Sequence, residues 1–227
     1  MKPSINLAAN GWRHKHWLSS FYPEDLPVDD DEDWRLAYYS NEFSAVLVPV
    51  DYWQSESVNE YEDWLDSVHS EFRFFVECHA GMFERISLAD LTAALKILAP
   101  QLSALIFLDE NQLISDDVKG QFLTLADSLG IELAGLAADS AMPVQVNKIW
   151  RSDGQAGGSE DLSGFSNFAF IEDDLSDLRS ARTMVEQFVS VISDDVADSE
   201  ATIIVDHPRL QADNLSKFRS VLDIMGH

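Results

Sequence analysis

Glu77 and His79 stand two residues apart in the run Phe74-Phe75-Val76-Glu77-Cys78-His79, and Asp206 and His207 adjoin directly after Thr202-Ile203-Ile204-Val205. Carboxylates and imidazoles are the groups that move protons near neutral pH and that hold divalent metals through oxygen and nitrogen. Alternate side chains of an extended strand share a face, so Glu77 and His79 project together with Phe75. If Phe74, Val76 and Cys78 face a helical layer, Glu77 turns to the opposite, interior side. Glu77, His79, Asp206 and His207 are therefore the candidate catalytic set. The plainer reading is chance: with 40 Asp and Glu in the chain, most loops hold an acid. No compact metal motif such as His-Glu-x-x-His occurs, so metal ligands and cofactor stay unassigned.

A second constellation lies near the start. Arg13, His14, Lys15 and His16 form the one basic cluster, between Trp12 and Trp17. Such a loop at the mouth of a sheet can grip an anion, or stack a ring while Lys15 neutralises charge. The alternative is a Trp-rich plug that closes one end of the fold. The candidate ligand-binding residues are Asn10, Trp12, Lys15, Asp51 and Tyr52. All five tyrosines and five of the six tryptophans precede residue 65, which suits an aromatic pocket or interface, though Trp34 with Tyr38 and Tyr61 with Trp64 have the spacing of core helices. Cys78 sits in an apolar run, where thiols are inert. No Gly-x-Ser-x-Gly, P-loop or Gly-x-Gly-x-x-Gly pattern occurs, so acyl-serine, ATP and NAD chemistry lack support.

The bulk numbers narrow the partners. The 227 residues are 46% apolar, and 15 Lys and Arg face 40 Asp and Glu, a formal charge of −25. Phosphate backbones and anionic lipid repel such a surface, so neither nucleic acid nor membrane is expected as a partner. What remains is an unknown small molecule or protein. Acids cluster at Asp29 to Asp33, Glu172 to Asp174 and Asp194-Asp195; the first two precede helix-like segments, where carboxylates suit the positive helix end. No apolar run nears the ~20 residues of a membrane span. The opening Met1-Lys2-Pro3-Ser4-Ile5 lacks an apolar signal region, and a single cysteine excludes an intrachain disulfide. A cytoplasmic location is expected.

The elements that must position these residues are legible as alternation. Apolar runs recur at 5–9, 45–50, 74–78, 104–108, 131–136, 144–149, 168–171 and 202–205. Several are apolar throughout, as strands covered on both faces are. Between them, Leu88, Leu91, Leu95 and Leu98 fall at helical steps behind Ser87 and Asp90, a loose capping box. Val118, Phe122, Leu125 and Leu129 repeat the pattern, with Gly130 as C-cap. Segments 175–192 and 212–225 are helical by the same test. The rhythm predicts an α/β fold, a compact TIM-like (β/α) barrel with one or two stunted or missing helices, in one domain over 1–227. An open doubly wound sheet is the rival. The segment 137–167 is the weak stretch: 137–143 has no room for a helix, and Gly154–Gly164 reads as a loop.

The first third also resembles a known family. Asn10-Gly11-Trp12 with Trp17, then Phe21-Tyr22-Pro23, then Tyr38-Tyr39 with Phe43, resemble the YecE-like family, domain of unknown function number seventy-two. That family shows Gly-Trp-x-x-x-x-Trp after its first strand, then Phe-Tyr-Pro, then a Tyr-Tyr-x-x-x-Phe helix. The resemblance covers residues 5–53 and implies a TIM-barrel-like fold. There are departures. Ala8-Ala9-Asn10 replaces Gly-Thr-Ser, Val46-Leu47-Val48-Pro49 lacks the Val-Glu-x-Asn polar pair, and Tyr52-Trp53 replaces its Phe-Tyr. The Glu-Phe-Arg-His and Arg-Leu-His-Gly strand ends have no counterpart, and Asp206-His207-Pro208 stands at the final Asn-Asn. The loss of these polar groups implies a divergent, non-catalytic binding or interaction module. The alternative is a metal-assisted or acid–base enzyme with its site at the C-terminal strand ends. In either case Trp12–Pro23 should fold over that mouth with both tryptophans buried, bringing Arg13 and Lys15 to Asp51, Glu77 and Asp206.

Overall fold

Ala45, Val46, Leu47 and Val48 have no solvent exposure on either side of the chain, which only a strand covered on both faces achieves. They form β2 (Ala45–Val48), one of eight strands, the others being β1 (Ser4–Asn10), β3 (Arg73–Cys78), β4 (Leu102–Phe107), β5 (Glu132–Gly135), β6 (Asn147–Arg151), β7 (Phe165–Ile171) and β8 (Glu200–Val205). The helices are α1 (Asp33–Glu42), α2 (Val50–Ser55), α3 (Val58–Ser67), α4 (Leu88–Leu98), α5 (Asp116–Leu129), α6 (Leu178–Val191) and α7 (Ala212–Met225). The computed structural model describes residues 3–24, 33–55, 58–108, 115–135, 147–152, 165–192 and 200–227. The strands follow one another in the order β1 to β8 around a closed barrel, and every described pairing is parallel. The expected (β/α) barrel is thus the fold, rather than the open sheet.

Local chemistry sets the element ends. Ser87 Oγ accepts from Asp90 N at 3.2 Å, and its hydroxyl donates to the Asp90 carboxylate at 2.6 Å. Ser115 Oγ caps α5 in the same way through Val118 N, and Gly130, at φ 67, ends that helix in the left-handed region. Several boundaries differ from the sequence reading, three of them instructively. The run 45–50 stops as a strand at Val48, because Pro49 has no N–H for the ladder, and α2 begins at Val50. The helix expected from residue 175 starts at Leu178, capped by Asp177, after Leu175 takes a positive φ of 57°. The sixth strand runs from Asn147 to Arg151 rather than 144–149, and 144–146 lie outside the described residues.

By contacts the chain divides into two compact units, residues 1–46 with 149–227 and residues 47–148. In the first, β8 pairs with both β1 and β7. Ala9 is level with Val205, and Ile171 is level with Val205. Tyr39 of α1 ties this unit internally: its buried hydroxyl accepts from Ala9 N at 3.0 Å and donates to Ala45 O at 2.9 Å. Burial raises the Tyr39 pKa well above its ordinary value, so the group stays a neutral donor and acceptor. Tyr39→Phe leaves a buried amide and a buried carbonyl short of this partner. It should cost about 1–3 kcal/mol. A urea denaturation midpoint equal to wild type would show the bridge to be dispensable.

In the second unit, β3, β4 and β5 pair in sequence order, with a register irregularity between Phe74 and Phe75. Gln101 closes the approach to β4 through its amide, which donates to His69 O at 2.6 Å and Phe72 O at 3.2 Å. Leu91, Leu95 and Leu98 of α4 and Phe122 and Leu125 of α5 are buried, as their spacing predicts. Among the described residues, no helix is long and apolar enough to cross a membrane.

Candidate functional site

The register of the first unit sets three polar side chains at one level. Since Ala9, Val205 and Ile171 align, the next residues, Asn10, Asp206 and Glu172, leave the C-terminal ends of β1, β8 and β7 together. The backbone holds this alignment past the strand ends, where Asp206 N donates to Ile171 O at 2.9 Å. Burial raises the Asp206 pKa; a hydrogen bond from the Asn10 side chain pulls it back, and the Glu172 charge pushes it up again. Arg151, the last residue of β6, forms an ion pair with Glu172. Because the Asn10 amide nitrogen donates to Asp206, the other end of that amide is an acceptor. Asn10 Oδ1 is buried and has no hydrogen-bond partner among the described residues.

The turn after β1 brings the His14 ring back toward the same strand end. Gly11 has φ 81, a left-handed conformation that a side chain resists, and it reverses the chain directly after Asn10. The His14 ring then comes back onto the backbone of Asn10 and Gly11, with which it hydrogen-bonds. Its Nε2 has no partner among the described residues, so the ring donates through Nδ1 and carries a free, buried lone pair on Nε2. Burial, with the nearby His16, lowers the His14 pKa to about 4, and the Gly11 and Asn10 carbonyls only partly oppose this. Beyond it, His16 Nε2 and Trp17 Nε1 both donate to Leu210 O, at 2.6 and 2.7 Å. The loop after β1 is thereby fastened to the loop after β8.

The predicted residues distribute as follows. Asn10 and Asp206 meet directly. Trp12 and Trp17 are fully buried, as expected. Arg13 lies with its guanidinium 5.3 Å from the Trp12 ring centre. Lys15 does not meet acidic strand ends: it is exposed and has no ion pair among the described residues, because the short 3-10 turn Lys15–Trp17 buries Trp17 and turns Lys15 outward. His207 Nδ1 accepts from Arg209 N at 3.2 Å, shaping its own loop.

Glu77, His79, Asp51 and Tyr52 belong to the second unit. There Glu77 Oε2 accepts from Val50 N at 3.3 Å, at the start of α2, and Glu77 O accepts from Trp53 Nε1 at 2.9 Å. His79 Nδ1 accepts from Gly81 N at 3.1 Å and caps the turn Ala80–Glu84. Asp51 is exposed in the first turn of α2, and Tyr52 N donates to Pro49 O. The buried Cys78 thiol has its pKa pushed up by burial and by Glu77, which leaves it unreactive. Among the described residues no group of three or more His, Cys, Asp or Glu is placed to hold a metal ion. Asp109, Glu110 and Asp139, acids that follow the apolar runs 104–108 and 131–136, lie outside the described residues.

His14 and Arg151 were missed as site residues in the sequence. Arg151 has a signal, a cation directly after the apolar pair Ile149-Trp150. His14 had only its place in the basic cluster, where it counts as a charge, whereas burial makes it a neutral base.

A (β/α) barrel with a polar cluster at the C-terminal strand ends defines a TIM-barrel-like protein. The family described as "Protein of unknown function DUF72" matches residues 7–138, and the chain belongs to that family. The fold is similar to that of a DUF72 family protein from Thermotoga maritima, at 15% identity and TM-score 0.69, covering 97% of this chain and 99% of that one. A DUF72 family protein from Enterococcus faecalis aligns at 11% identity and TM-score 0.63, covering 96% and 95%. D-psicose 3-epimerase with D-tagatose from Clostridium cellulolyticum H10 aligns at 8% identity and TM-score 0.53, covering 96% and 97%. No match is found among curated protein sequences.

Proposed function

We propose that the chain is a single binding barrel that holds a small molecule at the C-terminal ends of β1, β7 and β8 without transforming it. One observation carries this reading. Three of the four side chains that a proton-moving set would use are engaged in shaping their own backbone: Glu77 on Val50 N, His79 on Gly81 N, and His207 on Arg209 N. With Nδ1 accepting, the neutral His79 and His207 rings carry their proton on Nε2 and keep no lone pair for a substrate proton, while the Glu77 carboxylate is held against the start of α2. The Asn10–Asp206 pair and the half-buried His14 ring instead gather polar groups at these strand ends, which supports recognition rather than proton transfer.

The second reading is an acid–base enzyme. It draws on Asp206, whose raised pKa is what a proton-donating carboxyl requires. The two readings part on the fate of the ligand. A thermal-shift screen of metabolites and divalent metals finds binders, since a ligand at about 100 times its Kd adds about 2.7 kcal/mol. Each binder is then incubated with the protein and followed by proton NMR. Recovery of the ligand unchanged is the expected result; a ligand converted by wild type but not by Asp206→Asn would replace the binding reading with the enzymatic one.

A further inference from the structure

The loop after β1 is fastened to the loop after β8 at a single atom. The Leu210 carbonyl receives both His16 Nε2 and Trp17 Nε1, at 2.6 and 2.7 Å. His14 packs directly behind that join, its ring centre 4.3 Å from that of Trp17 and 5.3 Å from that of His16. It cannot leave without displacing the two side chains that make the join. The fastened segment is bounded by two residues in the left-handed region, Gly11 at φ 81 and Ser19 at φ 65. We infer that the join is an acid-released latch: a proton taken up by His14 frees Trp12–Leu18 from Leu210 while the barrel stays folded.

The trigger lies in the His14 ring. Nδ1 already donates to the Asn10 and Gly11 backbone, so an incoming proton must sit on Nε2. That atom is sealed from solvent and has no hydrogen-bond partner among the described residues. The proton therefore arrives only when the ring lifts. Once bound it resists the ring's return, because a buried charged N–H without an acceptor is costly. The titratable groups that the surrounding elements bring toward the join are Arg13 and His16 in the same loop, Asp206, His207 and Arg209 after β8, Glu172 and Asp174 after β7, and Tyr39 on α1. Of these, His16 is the one whose charge bears on His14, and it adds to the burial that holds the ring neutral. The Trp17 face, tilted 54° from the imidazole, does not offset them. With Trp17 fully buried, release is rare at neutral pH. The fastened loop is favoured above pH 6.5 and loses that advantage as pH falls toward 4. From pH 7 to pH 4 the released fraction should rise about a hundredfold. The latch works without a ligand, so it stands or falls apart from the binding reading.

The test is hydrogen exchange followed by NMR on the full chain between pH 7 and pH 4. The Trp17 indole N–H reports the latch, and the Leu7 and Ile204 amides, in β1 and β8, report the barrel. After correction for the exchange of free indole, protection at Trp17 should fall about a hundredfold on acidification. Trp17 should also open more often than either strand at every pH. His14→Phe and His14→Gln remove the titrating nitrogen, and in either variant the fall should shrink to about threefold or less. Should neither variant fold, the nitrogen NMR titration of wild-type His14 decides: its midpoint should lie well below the ordinary 6.5, and an ordinary midpoint with Trp17 still protected would overturn the inference. Wild-type protection that does not change with pH would overturn it too. So would Trp17 exchange that only keeps pace with Leu7 and Ile204, which is global unfolding, and so would an undiminished fall in a folded His14 variant.

Discussion

Trp17→Ala should lower the unfolding free energy by about 3–5 kcal/mol, the range for deleting a buried aromatic ring. Three losses coincide there. The indole is fully buried. Its N–H donates to Leu210 O at 2.7 Å, and its ring stacks on Tyr39 with centroids 6.2 Å apart and planes 7° from parallel. Phe21 meets it edge-on at 5.5 Å. The truncation therefore opens a cavity and loosens the join between the loops after β1 and β8. Trp12→Ala, another fully buried indole, should fall in the same range. Chemical denaturation decides the matter. A Trp17→Ala protein with wild-type stability but lost ligand binding would make the segment a recognition loop first and a structural plug second.

The second large effect is a pH dependence carried by His14. Its imidazole has an ordinary pKa of 6.5 when the chain is unfolded and about 4 when folded. Between those values the unfolded chain takes up a proton that the folded chain refuses, so stability present above pH 6.5 is lost as pH falls toward 4. The shift corresponds to about 3 kcal/mol. Asp206 acts with opposite sign: its raised pKa favours the folded state on the acid side and costs stability as pH rises through the folded value. Comparing wild type with His14→Phe across this window isolates the histidine, because Asp206 is common to both. The variant should lose less stability on acidification by about that amount. Parallel pH curves, or an NMR titration of His14 with an ordinary midpoint, would show that the ring is not held neutral by burial.

The architecture was readable because burial on both faces leaves a compositional trace. The runs around Val46, Ile106 and Ile204 are apolar without interruption, and Ser87, Ser115 and Gly130 stand where α4 and α5 begin and end. What escaped was set by single residues acting on the backbone. Pro49 turned the end of an apolar run into the lead-in to α2, and Leu175 delayed α6 by adopting a conformation rare for its type. β6 was obscured because Lys148 and Arg151 break its apolar pattern.

The site divides along the same line. Asn10 and Asp206 were found because a strand end is a position, and position follows from the alternation of elements. The role of His14 depends on the Gly11 turn, which folds the ring back onto backbone carbonyls; residue type alone marks it as a cation. Glu77 stands out in the sequence by charge and alternation, yet its carboxylate is used by the amide at the start of α2, a partner that appears only once Pro49 has ended the strand.

The pairing of β1 with β8 has a consequence for how the protein is made. Ser4 lies opposite Glu200, so the flank of β1 that β8 covers has no partner while the intervening chain is still being synthesised. Trp17 is in the same position, since the carbonyl that receives its N–H belongs to Leu210. A nascent chain released before β8 emerges would present an open strand edge and an indole-rich loop together, the combination that recruits other strands. Translation pauses ahead of residue 200 should therefore lower the soluble yield more than pauses after β8 has left the ribosome.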